Sequence, residues 1–472
     1  MPEGNRMTRL LICPTLCIFD CMASARCEAN QRSQVFPVEP DMPLILPAIV
    51  CSTLLSGSHG TFPDGTGQTD DESVLFTGDG AWCWFQDPRA VFIRGAHAKT
   101  YGSWMTSTGR LQIGAFDHAD KSVVIFTLKE RWDVDDHNTA SILVLPDKRL
   151  MVFYARHNKR GLYCRSTVRP EDITAWEDEV VILDAPRLTY SHPVYLKGEE
   201  TFYVFFRGET WKPTYCTSQD GRTWISPQIL IQDEDRDARD VRPYMKVISD
   251  GESTIHFAFT DGHPRNEALN SVYYLKYKDE AFFRADGRRV AGMEDLPIPH
   301  STCDHVYNAA RTGARAWVWD IALDHEGHPC IAYTRLPAEE DHRYHYARWT
   351  EHAWLDTEIA PGGRWFPQTP EGGKEPEPHY SGGMALAHQN PSVLYISRQS
   401  KNGFTIERWR TADGGRTWSS SRLASARQGL NVRPLVPFGY TGSADFVLWM
   451  TGQYVHFSNY HTAIRMIAPA RP

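Results

Sequence analysis

The sequence of 472 residues lacks several features that would assign it at once to a functional class. It contains no uninterrupted apolar run of the ~20 residues that a membrane-spanning helix requires, so we expect no membrane span. Its ten cysteines show no Cys-x-x-Cys spacing, which argues against a dense disulfide framework. The net charge of -8 argues against binding to nucleic acid or to an anionic membrane. Long amphipathic helical periods are also missing, which leaves an all-β pattern.

The first 75 residues are predicted to precede the folded domain. Residues 7–25 resemble a secretory signal, since Arg9 precedes an apolar run at positions 10–19 and small residues follow. A second apolar run, at positions 42–55, could be the leader if translation begins later. Residues 28–75 are rich in Pro, Ser, Gly, Thr and Asp. We therefore predict a signal peptide or leader at 1–27, a linker or poorly ordered arm at 28–75, and a secreted or periplasmic protein.

A hairpin pattern repeats along the remaining residues, 76–472. Each copy has an apolar strand, a polar turn that often contains Gly or Asp, and a second apolar or aromatic strand. We find seven copies, with turns near positions 109, 147, 198, 251, 326, 390 and 442. Repeats of this size with several strands each are typical of radially repeated sheets. The sequence therefore predicts an all-β fold, a seven-bladed β-propeller.

Two short segments support the propeller prediction. TADGGRTW at positions 411–418 matches the Asp-box pattern S/T-x-D-x-G-x-T-W, in which Asp and Gly fix a tight β turn and Trp packs between sheets. TSQDGRTW at positions 217–224 matches the same pattern with Gln219 in the Asp position. Such boxes are structural elements of propellers, so we assign them no catalytic role.

If the hairpins are equivalent, their open ends lie together on one face of the disc, opposite the turns. The residues at these ends are mostly His, Arg and Tyr: His118, His137, Asn138, His157, Tyr190, His192, Arg207, Arg242, His263, Asp320, Arg335, His379, Tyr380, Arg398 and Arg433. On a protein of net negative charge, such a face suits an anionic ligand such as a uronate or a sulfated sugar. The alternative is that these side chains only bond neighbouring carbonyls and carboxylates.

Several segments resemble the BNR-repeat propeller family, which contains ulvan lyases and rhamnosyl-glucuronate lyases. They are DGAWCWFQDPRAV (79–91), FDH (116–118), DDHN (135–138), FYARHN (153–158), TYSHP (189–193), FFRG (205–208), TDGHPRN (260–266) and the Asp-box. The resemblance covers residues 79–465. It implies that a His, a Tyr, an Arg and a further His line a substrate cleft. By motif these are His118, Tyr190, Arg207 and His137.

These residue types suit β-elimination from a 4-linked uronate in an anionic polysaccharide such as ulvan. Arg207 could hold the uronate carboxylate in a bidentate pair, and His137, with Asn138, could donate to it. His118 or Tyr190 would take the proton from C5, and Tyr190 could return one to the departing O4. A single Tyr could also do both in a syn elimination. The product would carry a double bond between C4 and C5, and no redox cofactor is needed.

The remaining residues of this face are assigned to substrate binding or to a metal site. We expect His157, His192, Arg242, Arg335 and Tyr380, with Asn138, to contact the substrate. Cys303 and His305 have a Cys-x-His spacing and, with His263 or His379, could form a structural zinc site; calcium is the other metal considered. The competing interpretation is a buried Cys beside a surface His. We expect a monomer.

Three other functions compete with this hypothesis. The first is an exo-acting L-rhamnose-α-1,4-D-glucuronate lyase or an α-L-rhamnosidase acting on arabinogalactan. The second is a sialidase-like hydrolase, which would need a Tyr and Glu pair that we cannot place at the open ends. The third is a non-catalytic sugar-binding propeller, since the fold alone does not prove catalysis.

Overall fold

The computed structural model describes residues 73–233, 241–367, 369, 373–425 and 430–469. Within these ranges the regular secondary structure is almost entirely β-strand, and the strands form seven antiparallel sheets. The first strands of neighbouring sheets pack against one another, so the sheets are arranged as blades around a common axis. This arrangement confirms the predicted all-β, seven-bladed propeller.

The first four blades follow one another along the chain. The strand that precedes them is β1 (Val74–Thr77). Blade 1 contains β2 (Ala90–Arg94), β3 (Ala98–Met105), β4 (Leu111–Asp117) and β5 (Val123–Lys129). Blade 2 contains β6 (Ser141–Val144), β7 (Leu150–Ala155), β8 (Leu162–Arg169), β9 (Asp172–Trp176) and β10 (Val180–Leu183). Blade 3 contains β11 (Thr189–Leu196), β12 (Thr201–Arg207), β13 (Pro213–Ser218) and β14 (Gln228–Ile229). Blade 4 contains β15 (Met245–Ser249), β16 (Thr254–Thr260), β17 (Val272–Lys278), β18 (Ala281–Phe283), β19 (Arg289–Gly292) and β20 (Asp304–Tyr307).

The last three blades are four-stranded. Blade 5 contains β21 (Arg315–Leu323), β22 (Pro329–Ala338), β23 (Asp341–Trp349) and β24 (Trp354–Gly363). Blade 6 contains β25 (Met384–Leu386), β26 (Val393–Ser400), β27 (Gly403–Arg410) and β28 (Ser419–Ala424). Blade 7 contains β29 (Leu430–Leu435), β30 (Val447–His456) and β31 (Asn459–Ile467). The helical elements are short: α1 (Ala309–Thr312) and the 3₁₀ turns Asp136–Asn138, Met293–Asp295 and His300–Thr302. None of these has the length and apolar character needed to cross a membrane.

Burial follows the position of a strand within its blade. The second strand of blade 2, β7, reads LMVFYA and is buried along its whole length. The outer strand of blade 1, β5, reads VVIFTLK and is mostly half-buried or exposed. A strand packed between two neighbouring blades loses water on both faces, which is why these strands are continuously apolar. The core is therefore a ring of interfaces between blades.

The ring is closed by joining the two ends of the described chain. Strand β1 pairs antiparallel with β31, with Val74 opposite Met466, and so becomes the outer strand of blade 7. Phe76 of β1 is buried, and its ring centroid lies 5.5 Å from that of Trp104 in blade 1. The first described strand therefore begins at Val74, two residues inside the segment predicted to be an arm. The predicted leader and the rest of that arm lie outside the described residues.

One of the seven predicted hairpins is offset by a strand. In blades 2 to 7 the predicted turn joins the first two strands, but the turn near position 109 joins β3 and β4, the second and third strands of blade 1. The first strand of this blade, β2, reads AVFIR. Its first two residues are the last two of the segment 79–91 that resembles the family, and the predicted hairpins did not include it. The offset reverses the face on which the residues after β4 lie.

Residues 80–89, which we call the axial segment, run across the centre of the ring. The indole Nε1 of Trp82 donates to Arg433 O in blade 7 at 3.2 Å, and Trp84 stacks on Trp319 of blade 5 with centroids 4.2 Å apart. Asp87 is buried and pairs with Lys246 of blade 4. Contacts from one segment to several blades give the molecule an aromatic and ionic centre.

Both Asp-boxes are turns fixed by a carboxylate, as predicted, but the box at 217–224 has a different register from the predicted one. Asp413 accepts the Thr417 N–H at 2.9 Å, and in the other box Asp220 accepts the Thr223 N–H at 2.7 Å. The hydroxyl of Ser218 takes the part played by that of Thr411. Asp220, and not Gln219, therefore holds the Asp position of the box at 217–224, which is one residue shorter than the box at 411–418.

The cysteines of the described residues are free thiols. Five are buried: Cys83, Cys164, Cys216, Cys303 and Cys330. Buried apolar surroundings raise the pKa of Cys164, Cys216, Cys303 and Cys330 to about 12. They act as small core residues, in agreement with the absence of a disulfide framework.

Candidate active site

Four of the predicted site residues meet at the strand ends of blades 2 and 3. His137 lies in the 3₁₀ turn Asp136–Asn138, just before β6, and His157 follows the end of β7. Tyr190 is the second residue of β11, and Arg207 is the last residue of β12. In an antiparallel hairpin the start of one strand and the end of the next lie at the same edge. The ring centroids of His137 and Tyr190 are accordingly only 5.8 Å apart.

A single carboxylate, that of Asp135, holds the two imidazoles. Its Oδ1 lies 2.7 Å from His137 Nδ1, and its Oδ2 lies 3.0 Å from His157 Nδ1. Asp135 also caps the 3₁₀ turn, because Oδ1 accepts the backbone N–H of His137 at 2.9 Å. The two imidazole rings stack with centroids 4.2 Å apart. Phe457 of blade 7 packs edge-on against both rings, so their orientation is fixed from two sides.

The two imidazoles differ in charge at neutral pH. Burial and the charge of His137 lower the pKa of His157 to about 4, so His157 is neutral. Burial alone would also lower the pKa of His137, but the adjacent carboxylates of Asp135 and Asp136 hold that pKa well above its usual value. Burial would raise the pKa of Asp135, but the two imidazoles keep it below its ordinary range. The cluster therefore contains one imidazolium and one neutral imidazole.

Tyr190 occupies an uncommon backbone conformation. Its φ of 64° lies in the left-handed region, at a bulge where the pairing of β11 with β12 shifts between Thr189 and His192. Burial raises the pKa of Tyr190 well above its ordinary value, although the charges of His137 and Arg207 oppose this effect. The phenol is therefore protonated at neutral pH. Its hydroxyl makes no hydrogen bond within the described residues, so it can donate to a ligand.

Arg207 is buried, and no carboxylate lies against it in the part of the chain that the structure describes. Its Nη1 donates to the Tyr244 hydroxyl at 3.0 Å, and its Nη2 donates to Asn158 Oδ1 at 2.8 Å and to Thr189 Oγ1 at 3.4 Å. The guanidinium carbon also lies 4.6 Å from the ring centroid of Tyr190. Neutral oxygens and aromatic faces compensate a buried charge only in part. An anionic ligand would complete this environment.

Trp211 extends the cationic region toward blade 4. It lies in the turn between β12 and β13 and is half-buried. The guanidinium of Arg207 is 4.9 Å from its ring centroid, and that of Arg242 is 4.1 Å away. An indole between two guanidinium groups fits a sugar ring that carries acidic substituents.

A second group of charged and titratable side chains lies on blade 4 and before blade 6. The ring centroids of His263 and His379 are 6.4 Å apart, and His263 packs on Trp317 at 4.5 Å. Burial lowers the pKa of His263 well below its usual value and that of His379 to about 3, so both are neutral. Arg265 Nη1 is bonded to Glu377 Oε1 at 2.5 Å. Glu377 therefore compensates the charge of Arg265, whereas Arg207 in blade 3 has no carboxylate partner among the described residues.

His118 lies at the other end of blade 1, which corrects its predicted place beside His137. The β3–β4 turn is at the site end, since Gly109 O accepts the Trp132 N–H at 2.7 Å. Strand β4 then runs away from the site for seven residues, or roughly 20 Å at ~3.3 Å per residue. His118 Nε2 is 2.7 Å from Thr100 Oγ1, and its ring packs edge-on against Phe116. Its role as base is not compatible with this position.

Asn138 supports the site from behind. Its Nδ2 donates to Trp132 O at 2.8 Å, and its Oδ1 accepts the backbone N–H of His157 at 2.6 Å. Both ends of the amide are thus engaged within the protein, and the residue is almost fully buried. Asn138 holds the loop that carries His157; it does not face a ligand as we predicted.

Three other residues predicted to bind substrate are placed elsewhere. His192 is buried beside the axial segment and accepts the Asp87 N–H at 3.4 Å. Tyr380 is buried in the aromatic centre, 5.5 Å from Trp84. Arg335 lies between blades 4 and 5, pairs with Asp356, and stacks on Tyr307 at 4.2 Å. Arg242 adjoins the cluster through Trp211.

Three further residues of the predicted face are engaged in the ion pairs that our alternative interpretation expected. Arg398 Nη2 lies 2.9 Å from Glu407 Oε1, Asp320 Oδ1 lies 3.1 Å from His388 Nε2, and Arg433 pairs with Asp136. These residues stabilise the fold.

The four residues proposed as a metal site are not brought together. The Sγ of Cys303 lies 3.9 Å from Pro299 O, and the ring of His305 packs on Tyr273 at 4.7 Å. His263 and His379 lie instead beside Trp317 and Arg315. No group of described residues joins any of the four as close metal-ligating neighbours. His305 lies in β20, which adds to the edge of blade 4, whereas His263 and His379 lie in loops. The Cys-x-His spacing therefore belongs to this edge strand and does not mark a metal site.

Sequence reasoning missed the residues that orient the cluster. Asp135 and Asn158 stand in the quoted segments DDHN and FYARHN, directly beside the histidines that we did assign. Tyr244 and Trp211 carry no local signal, because their roles depend on blades meeting at the axis. Asp135 could have been found, since a carboxylate two residues before a His often orients its imidazole.

Comparison with known proteins supports the architecture. The model of the BNR repeat-containing family matches residues 99–361. A structure described as a new family of polysaccharide lyase, PL25 ulvan lyase, aligns with 83% of this chain and 95% of its own at 16% identity and a TM-score of 0.63. The polysaccharide lyase Uly1 aligns with 84% of this chain and 98% of its own at 10% identity and a TM-score of 0.54. Similarity at these identities shows a shared fold. No curated protein matches the sequence.

Proposed function

Because this chain belongs to the BNR repeat-containing family, we propose that it is a polysaccharide lyase of the ulvan type. Its substrate would be an anionic polysaccharide with rhamnose-(1,4)-uronate linkages, cleaved by β-elimination. One of the two lyases that share the fold is described as an ulvan lyase, which supports this substrate class. Such an enzyme acts on extracellular polymers, which agrees with the proposed export.

The observation that carries the proposal is the buried guanidinium of Arg207 without an acidic partner among the described residues. The C5 proton of a uronate is only weakly acidic while the adjacent carboxylate is a free anion. A bidentate pair with Arg207 would neutralise that carboxylate and stabilise the charge that develops on it in the transition state. His137, an imidazolium 5.8 Å from the ring of Tyr190, would donate to the same carboxylate.

The proton transfers are assigned to His157 and Tyr190. His157 is neutral, and its Nδ1 faces the Asp135 carboxylate, so Nδ1 carries the proton and Nε2 has a free lone pair. Nε2 would take the proton from C5. The protonated phenol of Tyr190 would give its proton to the departing O4. Each transfer is typically worth ~10²- to 10⁴-fold in rate. The C5–H and C4–O4 bonds break, and a C4–C5 double bond forms.

The test is to incubate the purified protein with ulvan, and separately with gum arabic, while following the ultraviolet absorbance of a 4,5-unsaturated uronate. We expect absorbance to rise on ulvan. A rise on gum arabic alone, with free rhamnose, would instead identify the exo-acting rhamnosyl-glucuronate enzyme. Sugar release without new absorbance would identify a hydrolase, and binding without any product would identify a sugar-binding propeller.

Substitutions at two comparable arginines test whether activity depends on the buried guanidinium of Arg207. Arg207→Lys should lower kcat/KM on ulvan by ~10²- to 10³-fold, because an ammonium cannot replace a bidentate guanidinium. Arg335→Lys is the control: this arginine also stacks on a tyrosine, but it is paired with Asp356 and lies away from the cluster. Equal losses in both variants would contradict the proposed role of Arg207.

A further inference from the structure

Three groups of described residues bring three metal-ligating side chains within reach of one ion. The first, Cys83, Asp136 and His137, is fully buried, and its Asp136 is already paired with Arg433. The second, around Asp324, is an exposed turn whose carboxylate is engaged by Arg348. Only the third group combines access to solvent with side chains held in place by the fold.

We propose that Asp135, His137 and His157 form a binding site for a divalent transition-metal ion of the Zn²⁺ class, and that occupancy of this site blocks the elimination. The ligating atoms of the three residues lie within 4.8 Å of one another. None of these three residues belongs to the metal site that the sequence predicted.

The distances fit a small ion with few changes. Zn²⁺ bonds of ~2.0–2.1 Å in tetrahedral geometry place neighbouring ligand atoms roughly 3.4 Å apart. Here Asp135 Oδ1 is 2.7 Å from His137 Nδ1, and Asp135 Oδ2 is 3.0 Å from His157 Nδ1. An ion between these atoms would therefore require shifts of well under 1 Å for the carboxylate, with a modest opening of the stacked rings.

The ligand types select the class of ion. Two imidazole nitrogens and one carboxylate oxygen suit Zn²⁺, Co²⁺, Ni²⁺ and Cu²⁺, whereas Ca²⁺ and Mg²⁺ prefer sites made entirely of oxygen. The side chains of His157 and Asp135 are 18% and 15% exposed, so an ion can enter from the substrate side. Asn138 fixes the loop of His157 through the 2.6 Å bond to its backbone N–H, which gives the site a supporting shell.

The expected effect on activity rests on the proposed function. Metal binding releases one proton from the His137 imidazolium to solvent, and a metal on His157 Nδ1 forces the proton of that neutral ring onto Nε2. The Nε2 lone pair that would accept the C5 proton is then lost, and Asp135 no longer orients the ring. The site would thus act as a point at which transition-metal ions inhibit the enzyme.

Metal binding is tested first without substrate. Co²⁺ titrated into the full chain should give visible d–d absorption of a tetrahedral site, and Zn²⁺ should displace it. His157→Gln should weaken Co²⁺ binding at least 10-fold, since a missing ligand costs no less than a missing outer-shell partner. His456→Gln is the matched control: this histidine neighbours Phe457 at the same rim and bonds only Ser458. Thermal unfolding of both variants checks that they are folded.

Each outcome decides the proposal. Absence of Co²⁺ absorption, or equal affinity in wild type and His157→Gln, would overturn it. Mg²⁺ that competes as well as Zn²⁺ would overturn the assigned ion class. Inhibition is then measured on ulvan with Zn²⁺ and reversed with a chelator. Binding without inhibition would contradict the blocking role, whereas binding by a protein inactive on every uronate would count against the proposed function and leave the metal site standing.

Discussion

His118 is a buried histidine whose imidazole Nε2 lies 2.7 Å from Thr100 Oγ1 and whose ring is surrounded by Phe92, Phe116 and Phe446. Burial lowers its pKa to about 4, so it is a neutral core residue. We predict that His118→Gln retains lyase activity within about twofold, because the side chain is remote from the reacting groups. Unfolding should become easier by ~1–3 kcal/mol.

The comparison for that prediction is His157→Gln, which should lose ~10²- to 10⁴-fold in kcat on ulvan. Both are measured as initial rates of absorbance, with stability followed by thermal unfolding. A folded His118→Gln protein without activity would show that the family motif, and not the geometry, had identified the base.

At the residue scale, the sequence predicted which side chains lie together where their positions follow from a nearby motif and strand end. His137, Tyr190 and Arg207 follow from their motifs and from strand ends, and the structure places them together. His118 had an equally good motif but failed, because its position depended on counting strands correctly. Arg335 failed because a charge at a strand end says nothing about whether a carboxylate such as Asp356 already faces it.

Asp-boxes illustrate the next scale, that of the turn and strand. We predict that Asp220→Ala lowers the free energy of unfolding by ~1–3 kcal/mol, because it leaves the N–H groups of Arg222 and Thr223 without their acceptor. Gln219→Ala, the exposed neighbour that the sequence pattern put in the Asp position, should be neutral. Denaturant unfolding measures both. A costly Gln219→Ala with a silent Asp220→Ala would restore the register read from the sequence.

The closing strand makes a second prediction at this scale. Phe76→Ala removes a buried ring from the contact between β1 and Trp104, and should cost ~3–5 kcal/mol. Leu75→Ala lies on the same strand but is 49% exposed, so it should cost less than ~1 kcal/mol. Thermal unfolding of the two variants separates loss of packing from loss of strand pairing. Equal effects would mean that β1 contributes through its backbone alone.

The sequence predicted most of the strands, but it did not predict the order in which they pair within the blades. The pattern of apolar strand, turn and apolar strand found one hairpin in each blade, because each has inward-facing apolar residues and a turn rich in Gly or Asp. It could not show that β1 belongs to blade 7 or that β2 is the first strand of blade 1. The place of β1 depends on contacts between residues 392 positions apart, such as Ser73 and Arg465.

For the whole molecule, buried histidines set the response to acid. Burial lowers the pKa of His192 and His256 to about 3 and that of His342 to about 4. In the unfolded chain each has a pKa of about 6.5. At each of these histidines, and also at His118, His157 and His379, the unfolded state therefore binds more protons than the folded state between pH 6.5 and about 4, so stability falls as the pH falls. Each histidine contributes roughly 1.4 kcal/mol per pH unit in this window.

Denaturant unfolding at pH 7 and pH 5 checks this prediction. His256→Gln should reduce the slope of stability against pH by roughly 1.4 kcal/mol per pH unit, because this histidine no longer takes up a proton on unfolding. His456→Gln should reduce the slope less, because burial lowers the pKa of His456 but its ring is only half-buried. A stability that is flat from pH 7 to pH 5 would show that these imidazoles are charged in the folded protein.

The closure of the ring also sets an order in time. Arg465 emerges from the ribosome 392 residues after Ser73, roughly 20–80 s later at ~5–20 residues per second. Throughout that interval β1 has no strand to pair with. Phe457, which packs on His137 and His157, and Arg433, which pairs with Asp136, are synthesised at the same late stage. The candidate site of the growing chain is thus completed only when its last blade is made.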